Sequence, residues 1–405
     1  MKIVGLITEY NPFHAGHLYH MQRARELTGA DYCVVLMSGS FVQRGEPAIF
    51  DKYHRTKAAL LAGADLVLEM PVAFSTASAH EFAAYGVALL SAIGVDTVVF
   101  GSECGQIETL KQAAYALNHE SAEFRERLQK GLKAGLTYPQ ARAKALEMED
   151  TWASVLSSPN NILGIEYLRA AEDLHSPMEF YTISRKGSGY HEDTLADANF
   201  PSASAIRGII RNSLSKDKDL LDILASHLPA VTHPAYTGAV PVFVDDFSEL
   251  LNAAVLQMQA TFSIADLSPE LAARLAKPPY CPLSFEERIQ ALKTRQLTYT
   301  RVSRALLHLV LDMHEEDISR WKDEGYALYA RILGFRRQSS PLLSCLHKKS
   351  SIPLITKMAD AAQKLSPSAL ALLEQEVYAS HLYQTVRMKR GGVFQNEYTE
   401  GLVFA

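Results

Sequence analysis

At 405 residues the chain exceeds one ordinary core, so two or three domains are expected, and its 48% hydrophobic and 21% charged residues exclude a disordered or fibrous protein. A net charge of −5 does not announce a nucleic-acid partner, although a whole-chain sum can hide a basic face. Cys33, Cys104, Cys281 and Cys345 stand far apart without CxxC or Cys/His spacing, so neither a structural metal nor a disulfide framework is expected and the thiols should be reduced, in the cytoplasm.

The chain opens on an apolar stretch, residues 2–7, that is too short for a signal-peptide core and reads as a strand. No later window approaches the roughly 18 uninterrupted apolar residues of a membrane span, so no membrane partner is expected. A helix from about residue 17 follows, then a strand at 32–37, a helix from about 51, a strand at 65–69, a helix at 77–92 and a strand at 97–101. Residues 117–150 read as helical and 179–183 as a strand, and Ser204 signals the N-cap of the next helix. This alternation implies parallel βαβ units, hence an α/β fold: a doubly wound parallel sheet covered on both faces.

After about residue 213 the alternation fades and helical patterns dominate, at 285–295, 300–314 and 366–386. The expected division is therefore a catalytic domain at 1–213 and a mainly helical region at 214–405. Ligands of doubly wound sheets bind beyond the carboxyl ends of the strands, which directs attention to the loops at 8–16, 38–46, 70–76 and 102–105.

The first of these loops carries the chemistry. Ile7-Thr8-Glu9-Tyr10-Asn11-Pro12-Phe13-His14-Ala15-Gly16-His17 joins the first strand to the first helix, which continues with Leu18, Tyr19 and His20. Pro12 stiffens the turn, and Gly16 lets a nucleotide approach without a Cβ in the way. His14 and His17 can present both rings on one side of a helix start whose free amides favour an anion. Their role would be to stabilise charge on phosphate oxygens, not to act as nucleophiles. A zinc reading fails, because two histidines sharing a metal on a helix usually lie four apart and need a third ligand.

Further on, Asn160 and Asn161 join a Pro/Asn turn to a helix, where they can cap it or read an adenine or ribose edge. Arg185 and Lys186 precede a Gly-rich loop and would put cations where a β,γ-phosphate tail could lie. Ser202 and Ser204, followed by Arg207, resemble a second phosphate-binding helix start, although taken alone they make only a good N-cap. Lys293, Arg295, Arg301 and Arg304, with Arg336, Arg337, Lys348 and Lys349 later, supply basic surface suited to RNA phosphates, and solvated helix faces explain them about as well.

H-x-G-H after the first strand with S-x-S-x-I-R after a late one resembles the nucleotidyltransferase superfamily that includes pantetheine-phosphate and nicotinate-nucleotide adenylyltransferases and class I aminoacyl-tRNA synthetases. The longer strings GLITEYNPFHAGH, MSGSFVQRGEPA, SPNNILGIEY and SRKGSGYH resemble the bacterial tRNA(Met) cytidine acetate ligase family nearly end to end. The resemblance implies an enzyme that condenses acetate with ATP to acetyl-adenylate and transfers the acetyl group to N4 of the wobble cytidine of elongator tRNA(Met), with Mg2+ escorting the triphosphate. Carried over, ATP binding falls on Ile7 to His20, Gly101, Asn160 or Asn161, and Arg185 with Lys186, while His14 and His17 stabilise the transition state.

In place of the lysine-rich second signature of the class I synthetases stands S-A-S-A-I-R, so Arg207 or Lys186 must take the lysine's role if that role exists here. Acetate calls for a small apolar pocket, and the segment from Ser38 to Gly45 is the expected wall. Two other readings compete. A small-molecule adenylyltransferase or pantothenate-synthetase-like ligase would share the same nucleotide residues but leave the helical region without a task. A non-catalytic RNA-binding protein would have no use for His14, Gly16, His17 and Arg207 together.

Overall fold

The apolar runs of the first half become the central strands: β1 (Ile3–Thr8), β2 (Tyr32–Ser38), β5 (Leu66–Met70), β6 (Thr97–Ser102) and β7 (Glu179–Ser184), with a small antiparallel hairpin, β3 (Phe41–Val42) and β4 (Glu46–Pro47), between β2 and β5. The chain is described here by a computed structural model that covers residues 1–136, 138–145, 155–156, 158–184, 201–214, 219–258, 263–277 and 280–405. β5, β2, β1, β6 and β7 lie side by side in that order, all parallel. Every residue of β5 is buried and all but the first of β2, as near-continuous apolar strands covered on both faces should be.

From β1 the chain winds outward through β2 to β5, then returns to β6 on the other side of β1. The strand order therefore reverses between β1 and β6, and the crevice at their carboxyl ends is the expected ligand position. The doubly wound sheet expected from the sequence is the one observed.

The region after residue 213 is mainly helical but also completes the sheet. β8 (Ala330–Phe335) pairs antiparallel with β5, and β9 (Leu354–Ile355) and β10 (Val403–Phe404) run parallel to β8. These strands cover what would otherwise be an open edge of β5. A run as short as ARILGF cannot be told from buried helix by periodicity, so its strand character is not legible in the sequence. Leu68 of β5, Ile332 of β8, Val302 and Leu372 all belong to one hydrophobic core, so position 213 does not divide the packing.

Helix starts follow their caps. Helix α1 (Ala15–Thr28) begins earlier than expected because His14 itself is the N-cap. Helix α2 (Lys52–Ala62) is capped by Asp51, whose carboxylate accepts from the amides of Tyr53 and His54. In the helix Ala203–Leu214 the capping oxygen comes from Ser202 and not from Ser204: the amide of Ala205 donates to Ser202 Oγ at 3.2 Å. The helices Phe285–Leu292 and Tyr299–Val310 end earlier than their apolar periodicity suggested, each about one turn short.

Candidate active site

The loop from β1 to α1 is fixed from below before any ligand arrives. Tyr10 takes a positive φ of 48° and the Asn11–Pro12 peptide is cis. Tyr10 and Phe13 are fully buried, their rings edge to face at 4.7 Å, and Asn11 Oδ1 accepts the amide of Ile49 at 2.7 Å.

Beneath the loop lies Arg55 of α2, fully buried, whose guanidinium donates to the carbonyls of Phe50 (2.9 Å), Glu9 (2.8 Å) and Ser38 (2.9 Å) and to that of Gly39. One planar fork thus ties the ends of β1 and β2 together, a task suited to arginine and not to lysine. Nothing in the sequence distinguishes this arginine from the exposed Arg23 of α1.

His14 and His17 come together as a stacked pair, ring centroids 3.7 Å apart and planes 24° from parallel. The amide of Gly16 donates to His14 Nδ1 at 3.0 Å, and the amide of His14 donates to His17 Nδ1 at 3.2 Å. Because each Nδ1 is an acceptor, each neutral ring carries its proton on Nε2. The helix start therefore turns imidazole N–H groups and its positive end toward an anionic phosphate, while the amides of Gly16 and His17 are already held by His14. A Cβ at Gly16 would lie 2.8 Å from Cε1 of His14, so the glycine of H-x-G-H makes room for the first histidine to fold onto the helix end, in addition to any room it leaves for a ligand.

Arg207 reaches this loop from 196 residues further along the chain. One Nη donates to the carbonyl of Asn11 at 2.9 Å, and the other donates to Ser204 Oγ at 3.2 Å and lies 4.0 Å from the carboxylate of Glu46. The structure thus joins the two helix starts that the sequence singled out separately. Ile7 and Thr8 end β1, and Leu18, Tyr19 and His20 continue α1, half-buried. Gly101 lies near the end of β6, paired with Ile183 of β7.

Asn161 is buried at the start of the helix Pro159–Asp173, and its Oδ1 accepts the amides of Glu103 (2.9 Å) and Cys104 (3.1 Å), while the Glu103 carboxylate accepts the amides of Asn160 and Asn161. These asparagines bind the loop after β6 to a helix end at the switch point. Arg185 and Lys186 lie outside the described residues.

Of the expected acetate wall, Ser38, Gly39, Ser40, Phe41, Val42 and Gly45 are buried, whereas Gln43 is half-buried and Arg44 exposed. The hairpin β3–β4 is pinned at Gly45, which has φ 76°; its carbonyl accepts from Ser303 Oγ at 2.8 Å and a Cβ there would meet the amide of Arg304 at 2.4 Å. The helix Tyr299–Val310 therefore packs against the mouth and brings Arg301 and Arg304 there, Arg304 paired with Asp266 at 2.9 Å. Lys293 and Arg295 are exposed in the turn before that helix. Arg336 and Arg337 follow β8, the amide of Arg336 donating to the Asp65 carbonyl just ahead of β5. They lie at the amino ends of the parallel strands, about 20 Å of strand length from the nucleotide loop.

Among the described residues no helix is long and apolar enough to cross a membrane, and no group of three or more His, Cys, Asp or Glu is arranged to hold a metal ion.

A doubly wound sheet whose first crossover loop offers paired histidines on a helix start defines a nucleotidyltransferase of the HxGH class. A family model described as HIGH Nucleotidyl Transferase matches residues 1–396. The tRNA(Met) cytidine acetate ligase of Acetivibrio thermocellus is 39% identical, covering 95% of this chain and 94% of its own, and that of Thermoanaerobacter sp. is 35% identical over 100% of both. Among solved structures, Thermotoga maritima TmcAL bound with alpha-thio ATP matches with a TM-score of 0.87 and 30% identity, over 100% of this chain and 99% of that one. The chain belongs to the tRNA(Met) cytidine acetate ligase family and is a ligase.

Proposed function

We propose that the enzyme condenses acetate with ATP to acetyl-adenylate, releasing pyrophosphate, and passes the acetyl group to N4 of the wobble cytidine of elongator tRNA(Met) to give N4-acetylcytidine. The observation that carries the first half-reaction is the convergence of His14, His17 and Arg207 on one loop at the β1/β6 switch point. Support for the second half-reaction comes from the names of relatives that match nearly end to end.

A carboxylate acylates poorly until one of its oxygens becomes a leaving group, and adenylation does this. In the reaction so assigned, the positive end of α1 and the Nε2–H groups of His14 and His17 face the phosphates, while Arg207 neutralises charge that develops as pyrophosphate leaves. Ile7 to His20, Gly101, Asn160, Asn161, Arg185, Lys186, Ser202 and Ser204 form the ATP site, and residues 214–405 carry the tRNA, with Lys293, Arg295, Arg301 and Arg304 on the mouth side. Mg2+ would be held by phosphate oxygens and water, which fits the lack of a three-ligand carboxylate or histidine group among the described residues. When bound, it would supply charge neutralisation on the triphosphate. The mixed anhydride must be shielded from water until the amine attacks.

The test is incubation with ATP, Mg2+ and labelled acetate, with and without bulk bacterial tRNA, followed by digestion of the RNA to nucleosides. Label in N4-acetylcytidine is expected. No label in RNA, with pyrophosphate released only on adding another acid or nucleotide, would assign a small-molecule adenylyltransferase instead.

A further inference from the structure

Acetyl transfer to an exocyclic amine needs a proton acceptor, because the nitrogen carries an extra proton once it has attacked the carbonyl. The mouth of the nucleotide loop holds several carboxylates, and their hydrogen bonds sort them. Glu9 accepts the amide of Gln43 at 3.0 Å, Asp245 accepts the amide of Glu286 at 2.9 Å, and Glu286 accepts the Tyr299 hydroxyl at 2.5 Å. Glu103 is spent on the amides of Asn160 and Asn161.

Glu46 differs from all of these. Among the described residues its carboxylate accepts no hydrogen bond, and its nearest cation, Arg207, stands at 4.0 Å, outside hydrogen-bonding reach. Its side chain is 21% exposed, so it is sheltered yet open to the mouth. The backbone that carries it is rigid, since Gly45 is locked against Ser303 and Arg304 and β4 is paired to β3. Arg207, its neighbour, touches the nucleotide loop directly.

We infer that the Glu46 carboxylate is the base that takes the proton from the attacking N4 amine in acetyl transfer, an assignment that rests on the acetate-ligase reading above. As the nitrogen lone pair forms the N–C bond to the acetyl carbonyl carbon, the C–O bond to the adenylate phosphate breaks, AMP leaves with that electron pair, and the N–H proton passes to a Glu46 oxygen. Burial raises the carboxyl of Glu46 above the ordinary glutamate range, with Arg207 and Arg44 opposing and Glu9 and Glu286 adding to the rise. A raised carboxyl is a better proton acceptor than a free one. The remaining titratable group facing it, the Tyr299 phenol, is pushed far up by burial and by Glu286, so it stays neutral through the working range.

The experiment is single-turnover transfer from enzyme loaded with ATP and labelled acetate to tRNA, beside acetate-dependent ATP–pyrophosphate exchange, for wild type, Glu46→Gln and Glu46→Asp. The expected result is that Glu46→Gln slows transfer by about 100-fold more than it slows exchange. Wild-type transfer should rise with pH through the carboxyl titration, and the Gln variant should lose that rise. Glu46→Asp keeps the rise with a lower plateau, and it decides the question if the Gln variant does not fold. Equal slowing of both half-reactions, or an unchanged pH profile, overturns the assignment, because Glu46 would then only position Arg207. Absence of acetate-dependent exchange in the wild type would instead overturn the acetate-ligase reading itself.

Discussion

Lys52 Nζ lies 3.0 Å from Glu397 Oε2, both side chains fully buried, although one opens the helix after the β3–β4 hairpin and the other belongs to the C-terminal tail. The same ammonium is 2.5 Å from Glu69 and 3.5 Å from Glu376, and Arg331 of β8 bonds both Glu69 and Glu397. Two cations and three carboxylates without solvent are neutral only if one carboxyl keeps its proton. Glu376 is that group: burial, and next the charge of Glu69, raise it well above the ordinary range. For Glu397, burial acts upward, but Lys52 and Arg331 outweigh it and hold the carboxylate well below that range.

The two glutamates should therefore respond oppositely to neutralisation. Glu397→Gln leaves Lys52 and Arg331 short of a counter-charge and should cost about 3–5 kcal/mol in urea unfolding at pH 7. Glu376→Gln replaces a neutral acid by a neutral amide whose oxygen can still accept the Val72 amide, an existing bond of 2.6 Å, and should change stability by less than about 1 kcal/mol. Equal losses in the two variants would refute the charge assignment.

The pH dependence follows from the directions. The lowered carboxyl of Glu397 contributes stability that is present above the unfolded value of about 4.3 and is lost as pH falls below it. The raised carboxyl of Glu376 contributes stability that is full below that value and declines as pH rises toward its folded one. Glu376→Gln should thus gain on wild type as pH climbs from 5 to 9, and Glu397→Gln should lose less against wild type at pH 3 than at pH 7. Thermal melts across this range, run in constant ionic strength, measure both.

Much of this architecture was legible in the sequence because the signals were local. The strands beginning at Ile3, Tyr32, Leu66, Thr97 and Glu179 are apolar runs broken by caps, and H-x-G-H declared its loop by following the first of them. What escaped were relations between distant segments. Glu69 reads as an interruption in an apolar strand until Lys52, Arg331, Glu376 and Glu397 surround it, and Ala330–Phe335 shows its strand character only beside β5. Glu46 does not stand out within MSGSFVQRGEPA, since its distinction is a lack of hydrogen bonds among the described residues that only the folded chain produces.

Gly16→Ala tests the role of the glycine between the histidines. The added Cβ would meet the His14 ring at 2.8 Å and push it off the helix end, where it now accepts the Gly16 amide. Acetate-dependent ATP–pyrophosphate exchange should fall by about 100-fold or more, a loss on the scale of one preorganised donor in a charge-stabilising site. Far-ultraviolet circular dichroism should be unchanged, because alanine is a good helix former there. Exchange within threefold of wild type would show that the ring has room to move without cost.

Arg55→Lys separates scaffold from charge beneath the same loop. Lysine keeps the cation but cannot reach the carbonyls of Phe50, Glu9, Ser38 and Gly39 as one planar fork, so buried acceptors lose their donors. The loss should be at least about 2 kcal/mol in urea unfolding, with a raised KM for ATP because Glu9 and Ser38 shift together. A variant with wild-type stability would mean that water replaces the lost donors.

The basic residues divide by their distance from the chemistry. Arg301 lies on the helix pinned to the β3–β4 hairpin at the mouth, whereas Arg337 stands at the amino ends of the strands, its amide bonded to the Ala405 carbonyl and its guanidinium 4.6 Å from the Phe404 ring. A tRNA that delivers its wobble base to the mouth should place backbone phosphates against the near group. Arg301→Glu should therefore raise the Kd for tRNA about tenfold at physiological salt and lower the slope of log Kd against log salt by about one. Arg337→Glu should move both quantities by much less. Filter-binding titrations at four salt concentrations distinguish the two, and the opposite ranking would place the RNA across the far end of the sheet.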